Sequence, residues 1–126
     1  MSYTGYTSSY FPPAPILDVV FVAQPDGTRI DAVAGFVDTG ADASIVPLYL
    51  LDRIGARYVT EHRVRSYFGE ARKVHSYLVD VVIDDITLPG IEVVGDLVDE
   101  ILIGRDVLNR LRLILDGPRQ QIQVRP

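Results

Sequence analysis

Phe36-Val37-Asp38-Thr39-Gly40-Ala41-Asp42-Ala43-Ser44-Ile45-Val46 decides how this chain is read. The run passes from apolar residues into one carboxylate, reverses at a glycine and leaves through apolar residues again. A strand ending on Asp38, followed by a tight turn that Gly40 permits, holds that carboxylate at the end of a rigid element where a reacting group can be oriented. Asp, Thr and Gly are also ordinary turn formers. From average residue usage, such a triplet arises by chance in a chain of 126 residues with a probability of about 0.03. The triplet therefore needs a second signal.

That signal is Ile101-Leu102-Ile103-Gly104-Arg105-Asp106-Val107-Leu108, where an apolar strand again reaches a glycine and a short helical pattern follows. The second glycine stands 104 − 38 = 66 residues after the first carboxylate. Asp-Thr-Gly-Ala-Asp followed at this separation by Ile-Leu-Ile-Gly-Arg-Asp resembles the retropepsin-like aspartic proteases, the retroviral-type proteases and their cellular and bacterial relatives. The resemblance covers most of Pro15 to Val124. It implies a mainly β fold, a small closed acid-protease barrel with one or two short helices, active as a homodimer.

Composition narrows the alternatives independently. One domain is expected at this length, with residues 1–14 a flexible N-terminal tail or extended arm and 15–126 the folded unit. Twelve Lys and Arg against 17 Asp and Glu give a net charge of -5, with the basic residues scattered, which argues against nucleic acid as a partner. The chain has no Cys, so disulfides, thiol nucleophiles and thiolate metal sites are excluded together. No apolar run reaches the roughly 18 residues of a membrane span, and the N-terminus lacks the regions of a signal peptide. The expectation is a cytoplasmic protein with no membrane association.

Along the chain, Ile16 to Val22 reads as a strand, Gln24-Pro25-Asp26-Gly27 as a turn, and Thr28 to Val37 as the strand that delivers Asp38. Pro47 to Gly55 fits a short helix with Pro in its first turn and Gly past its end. Val59 to Tyr67 and Val74 to Ile83 read as two strands around Phe68-Gly69-Glu70-Ala71-Arg72. Asp84-Asp85, Pro89-Gly90 and Gly95-Asp96 read as breaks between further short strands. A brief helix after Gly104 and a final strand, turn and strand complete the domain.

Elimination favours carboxylate chemistry. There is no Gly-x-Ser-x-Gly, and Ser44 sits in an apolar exit strand. His62 and His75 are the only histidines and lack zinc spacing, so both read as surface strand residues. A calcium loop starting at Asp38 would want Gly and Glu where the chain has Ala43 and Tyr49. Neither metal nor cofactor is called for. An acid mechanism needs two carboxylates sharing one proton, one to take a proton from water and one to polarise the scissile carbonyl. The chain has one Asp-Thr-Gly, and a two-fold homodimer would bring Asp38 against its copy.

The resemblance carries further expectations. Asp38 would be the catalytic acid or base, Thr39 would send its hydroxyl across the dimer axis, and Gly40 would accept substrate backbone, with Ala41 supporting the same loop. Asp42 would contact the substrate main chain and pair with Arg105, and a buried pair of that kind costs about 3–5 kcal/mol when one partner is lost. Phe68 and Gly69 would lie at the tip of a flap over bound peptide. In viral relatives the termini of both subunits interleave, and Gln121-Ile122-Gln123-Val124 could serve that way. The leading expectation is an aspartic endopeptidase acting on a peptide or protein substrate. The alternative is a non-catalytic dimerisation or peptide-binding module with the same fold.

Overall fold

The computed structural model describes residues 2–65 and 69–125. The chain begins with β1 (Ser2–Gly5), β2 (Ile16–Ala23), β3 (Thr28–Arg29), β4 (Val33–Val37) and β5 (Ile45–Pro47). Helix α1 (Leu48–Ile54) leads into β6 (Arg57–Arg65), β7 (Ala71–Ile83) and β8 (Ile86–Asp96). The last part holds β9 (Ile101–Ile103), α2 (Arg105–Leu108), β10 (Arg112–Asp116) and β11 (Gln121–Arg125).

The strand order β2-β4-β9-β5-β8-β7 closes on itself because β7 also pairs with β2, so the mainly β chain forms a closed barrel. Closure follows from the sequence pattern. Leu17, Val19 and Phe21 alternate along β2 and are all buried, as are Val79, Val81 and Ile83 on β7 and Leu88, Ile91 and Val93 on β8. Burying each such side chain contributes about 1.5–3 kcal/mol. Helix α1 seals one end with Leu50, Leu51 and Ile54, and it stops at Gly55, whose N–H donates to the Asp52 carbonyl at 3.1 Å.

Two expectations about the strands are revised. The stretch read as several short runs divided at Pro89-Gly90 is one continuous strand, β8. Register shifts where Val79 faces Ile91 and Val81 faces Leu88, so Pro89 and Gly90 bulge opposite Asp80, whose carboxylate accepts the Gly90 N–H at 3.0 Å. Gly90 takes φ +65°, which a side chain would resist, and Pro89 donates no ladder bond. The returning strand is likewise interrupted, with β3 ending at Arg29 and β4 starting at Val33.

The N-terminal segment, expected as a flexible tail or an extended arm, is paired with the C-terminal strand. β1 pairs antiparallel with β11, Tyr6 N–H donates to the Gln120 carbonyl at 2.9 Å, and Thr7 bridges to Ala14. Ladder bonding orders this polar arm without a period of apolar residues, which is why the pattern gave no strand. A consequence follows for the C-terminus. β11 lies between β1 and β10 of its own chain, so Gln121 to Val124 has both backbone edges occupied and is not free to interleave with a second copy.

Candidate active site

Strand β4 carries the chain from the buried Val37 to the half-buried Asp38. The Asp38 N–H donates to the Ile103 carbonyl at 3.0 Å, tying the residue to β9. Its carbonyl accepts the Ala41 N–H at 3.2 Å, and its Oδ1 accepts the Gly40 N–H at 3.0 Å, so the turn holds the carboxylate from below. Thr39 and Gly40 are exposed. The turn thus presents one oriented carboxylate and two small residues to whatever lies against it.

The second glycine segment is bolted to this turn. Arg105 N–H donates to the Ala41 carbonyl at 2.9 Å, and its Nη1 donates to the Thr39 carbonyl at 2.8 Å. Nη2 donates to Asp42 Oδ1, so the expected Asp42–Arg105 pair is formed. The side chains are 91% and 42% exposed, respectively, which places the pair on the surface scale of about 0–1 kcal/mol rather than the buried one. Gly104 sits so close that a Cβ there would stand 2.7 Å from the Ala43 carbonyl carbon and 2.9 Å from the Ala41 carbonyl oxygen. Only glycine lets the two backbones approach this far.

The connection that sequence reading missed is Ser44 to Asp106. Ser44 is buried, its N–H donates to Asp106 Oδ2 at 2.9 Å, and its hydroxyl donates to Asp106 Oδ1 at 2.7 Å. The Ser44 oxygen also accepts the Gly104 N–H at 2.9 Å, while Asp106 Oδ1 accepts the Val107 N–H at 2.9 Å. A serine flanked by apolar residues in an exit strand must find partners once buried, and that was the available signal.

Strand alternation and register define the face on which Asp38 stands. Phe36 points to the same side as Asp38, Leu102 lies beside Phe36 in the parallel ladder, and Ile45 pairs with Leu102. Ile45 and Leu102 line an open recess of about 430 Å³ together with Val98, Asp96 and Arg72. At the other end of the face, the ring of Tyr10 from the N-terminal arm meets Phe36 edge-on at 5.0 Å, and its hydroxyl donates to Glu100. That Glu100 bond, followed by burial, raises the Tyr10 phenol above its ordinary pKa. Tyr10 was not among the expected site residues.

The β6–β7 hairpin stands at the edge of the barrel. Gly69 is exposed with φ +85°, and Phe68 lies outside the described residues. His62 Nε2 lies 3.0 Å from Glu92 Oε2 and 3.1 Å from the Ser76 hydroxyl, joining β6, β7 and β8. Ser76 and then His62 hold the Glu92 carboxyl below the usual carboxylate range. His75 faces the Tyr58 hydroxyl at 3.2 Å. Among the described residues, no group of three His, Asp or Glu side chains converges as a metal site.

Residues 27–110 match the family model described as "gag-polyprotein putative aspartyl protease". The chain belongs to this family. No curated protein matches the chain closely enough to count as a relative. Among solved structures, this aspartyl-protease family member is similar to a retropepsin-like aspartic protease from Rickettsia conorii, at 16% identity and a TM-score of 0.63, covering 96% of this chain and 86% of that one. It is also similar to the EIAV protease complexed with the inhibitor HBY-793, at 17% identity and 0.56, covering 85% and 93%. The simian foamy virus (mac) protease gives 18% and 0.55, covering 75% and 92%. At these identities the structures show the shared retropepsin-like fold.

Proposed function

We propose that the chain is an aspartic endopeptidase whose active form is a homodimer, each copy supplying Asp38 to a shared pair. The observation that carries this reading is the Asp38 turn. One carboxylate is fixed from within by Gly40 N–H, while Thr39 and Gly40 beside it are open to a second surface. On this reading Asp38 supplies half of an acid site and two-fold symmetry supplies the other half.

In the paired site one carboxylate is ionised and the other holds the shared proton. The ionised carboxylate takes a proton from a water molecule, whose oxygen bonds to the scissile carbonyl carbon as the protonated carboxyl donates to the carbonyl oxygen. The carboxyl that took the proton from water gives it to the nitrogen, the C–N bond of the tetrahedral diol breaks, and the other carboxylate takes the proton of one diol hydroxyl as the carbonyl re-forms. A carboxylic acid and an amine leave, and the pair again holds one proton. Gly40, without a side chain, leaves room for the substrate backbone beside the carboxylates.

Asp38→Asn tests the reading. An amide neither accepts the proton from water nor shares one with its copy, so peptide hydrolysis should fall by about 10³-fold or more with thermal unfolding unchanged. Hydrolysis at the wild-type rate by a folded Asp38→Asn protein contradicts it.

A further inference from the structure

The β6–β7 hairpin is fastened to the rest of the molecule unevenly. β6 is exposed along its whole length and, among the described residues, pairs only with β7, and the cross-strand neighbours of its outer half, Arg63 with Lys73 and Val64 with Arg72, are exposed too. Little apolar surface holds this outer half down. A polar contact does. Arg72 Nη1 donates to Asp96 Oδ1 at 3.0 Å and Nη2 donates to Asp96 Oδ2, a two-pronged ion pair from the hairpin to the last residue of β8.

Asp96 is built for this role. Its side chain is 8% exposed, and the same Oδ1 accepts the Leu97 N–H at 2.8 Å, so the carboxylate is held in one orientation before Arg72 reaches it. A forked guanidinium on a fixed carboxylate is the strong form of such a bond. The Arg72 side chain is 60% exposed and makes no other hydrogen bond or ion pair among the described residues. Both residues border the 430 Å³ recess floored by Ile45 and Leu102, on the face where Asp38 stands.

We propose that the Arg72–Asp96 pair is a latch that holds the outer β6–β7 hairpin against the wall of the recess, and that Arg72 is a positioning residue for peptide bound there. The part concerning peptide rests on the protease reading, and the latch itself does not. Any peptide lying along this face meets a hairpin whose outer half is tied to β8 by side-chain contacts, Arg72 to Asp96 at the recess and His62 to Glu92 further in. Opening should therefore respond to ionic strength as well as to mutation.

Amide hydrogen exchange tests the latch without reference to activity. In Arg72→Ala, amides of residues 61–65 and 71–75 should exchange about tenfold faster, while those of β2, β10 and β11 stay within twofold of wild type. Raising salt to about 1 M should speed the same hairpin amides more in the wild type than in the variant. Arg72→Lys, which keeps the charge and loses the fork, should fall between. Asp96→Asn, which can still accept the Leu97 N–H, guards against a folding artefact and should reproduce Arg72→Ala. Hairpin exchange unchanged in both variants, or accelerated equally throughout the chain, overturns the proposal. On a peptide substrate, Arg72→Ala should raise KM several-fold with kcat within twofold, and an equal loss in kcat with KM unchanged overturns the positioning role. If the protease reading itself fails, the wild type hydrolyses no peptide, and the exchange experiment still decides the latch.

Discussion

The Asp38–Gly104 centre and the β6–β7 hairpin occupy one face of the barrel and are built in opposite ways. At the centre, two glycine-bearing segments far apart in sequence are locked by backbone bonds, by the buried Ser44 bonded to the half-buried Asp106 and by Arg105 reaching the Thr39 carbonyl. At the hairpin, exposed strands are tied down by His62 to Glu92 and by Arg72 to Asp96. A reacting carboxylate needs fixed geometry, whereas an element that admits a polypeptide needs a low cost of opening. The difference is one of desolvation. Ser44 is buried at the centre, whereas Arg72 keeps most of its side chain in water and is the partner that can leave.

Changes at the centre should therefore cost far more than changes at the hairpin. Gly104→Ala should be the most damaging, because its Cβ would meet the Ala43 backbone at 2.7 Å and neither segment can yield without disturbing the Asp38 turn. A loss of about 1–3 kcal/mol in urea unfolding is expected, and wild-type stability would mean the segments are not locked. Ser44→Ala leaves the Gly104 N–H without its acceptor and removes one donor from Asp106 Oδ1, which should cost about 1–3 kcal/mol.

Arg105 and Asp42 lie at the rim of the centre and sharpen the contrast. Arg105→Ala removes bonds to both Asp42 and the Thr39 carbonyl, whereas Asp42→Ala removes one, so the arginine variant should be the less stable. Their coupling in a double-mutant cycle should not exceed about 1 kcal/mol for so exposed a pair. A larger coupling, seen only at dimer-forming concentration, would show that association buries the pair.

The smallest effect belongs to Glu92. Its carboxyl is depressed in the folded chain, first by Ser76 and then by His62, so its contribution is complete above the ordinary carboxylate range and is lost as pH falls through the lowered value. Glu92→Gln should cost at most about 1 kcal/mol at pH 7, with the difference from wild type shrinking on acidification below the ordinary carboxylate range. A penalty growing toward acid would reverse the sign of the argument.

Much of this molecule is legible in the sequence where apolar period and turn chemistry agree. β2, the Asp38 turn, α1 ending at Gly55 and the Gly104 segment all follow from local pattern. The order of strands around the barrel does not, because β4 beside β9 and β5 beside β8 are parallel pairings between distant segments. β8 was obscured because Pro89 and Gly90, ordinary strand breakers, are absorbed in a bulge opposite Asp80. β1 was obscured because ladder bonds to β11, rather than an apolar face, hold it. At the site, Asp38, Asp42 and Arg105 were legible as motif, while the Ser44–Asp106 and Arg72–Asp96 pairs depend on contacts between segments that no spacing rule supplies.

The central claim is that two copies of Asp38 act as one site, and mixing tests it most directly. Wild-type and Asp38→Asn chains are combined in equal amounts at a concentration where the protein is dimeric, subunits are allowed to exchange, and hydrolysis of one peptide is followed. Random pairing leaves a quarter of the dimers with two carboxylates, so the rate per wild-type chain should fall to about half. A rate per wild-type chain that does not change on mixing would show that each Asp38 works without its copy and would contradict the account.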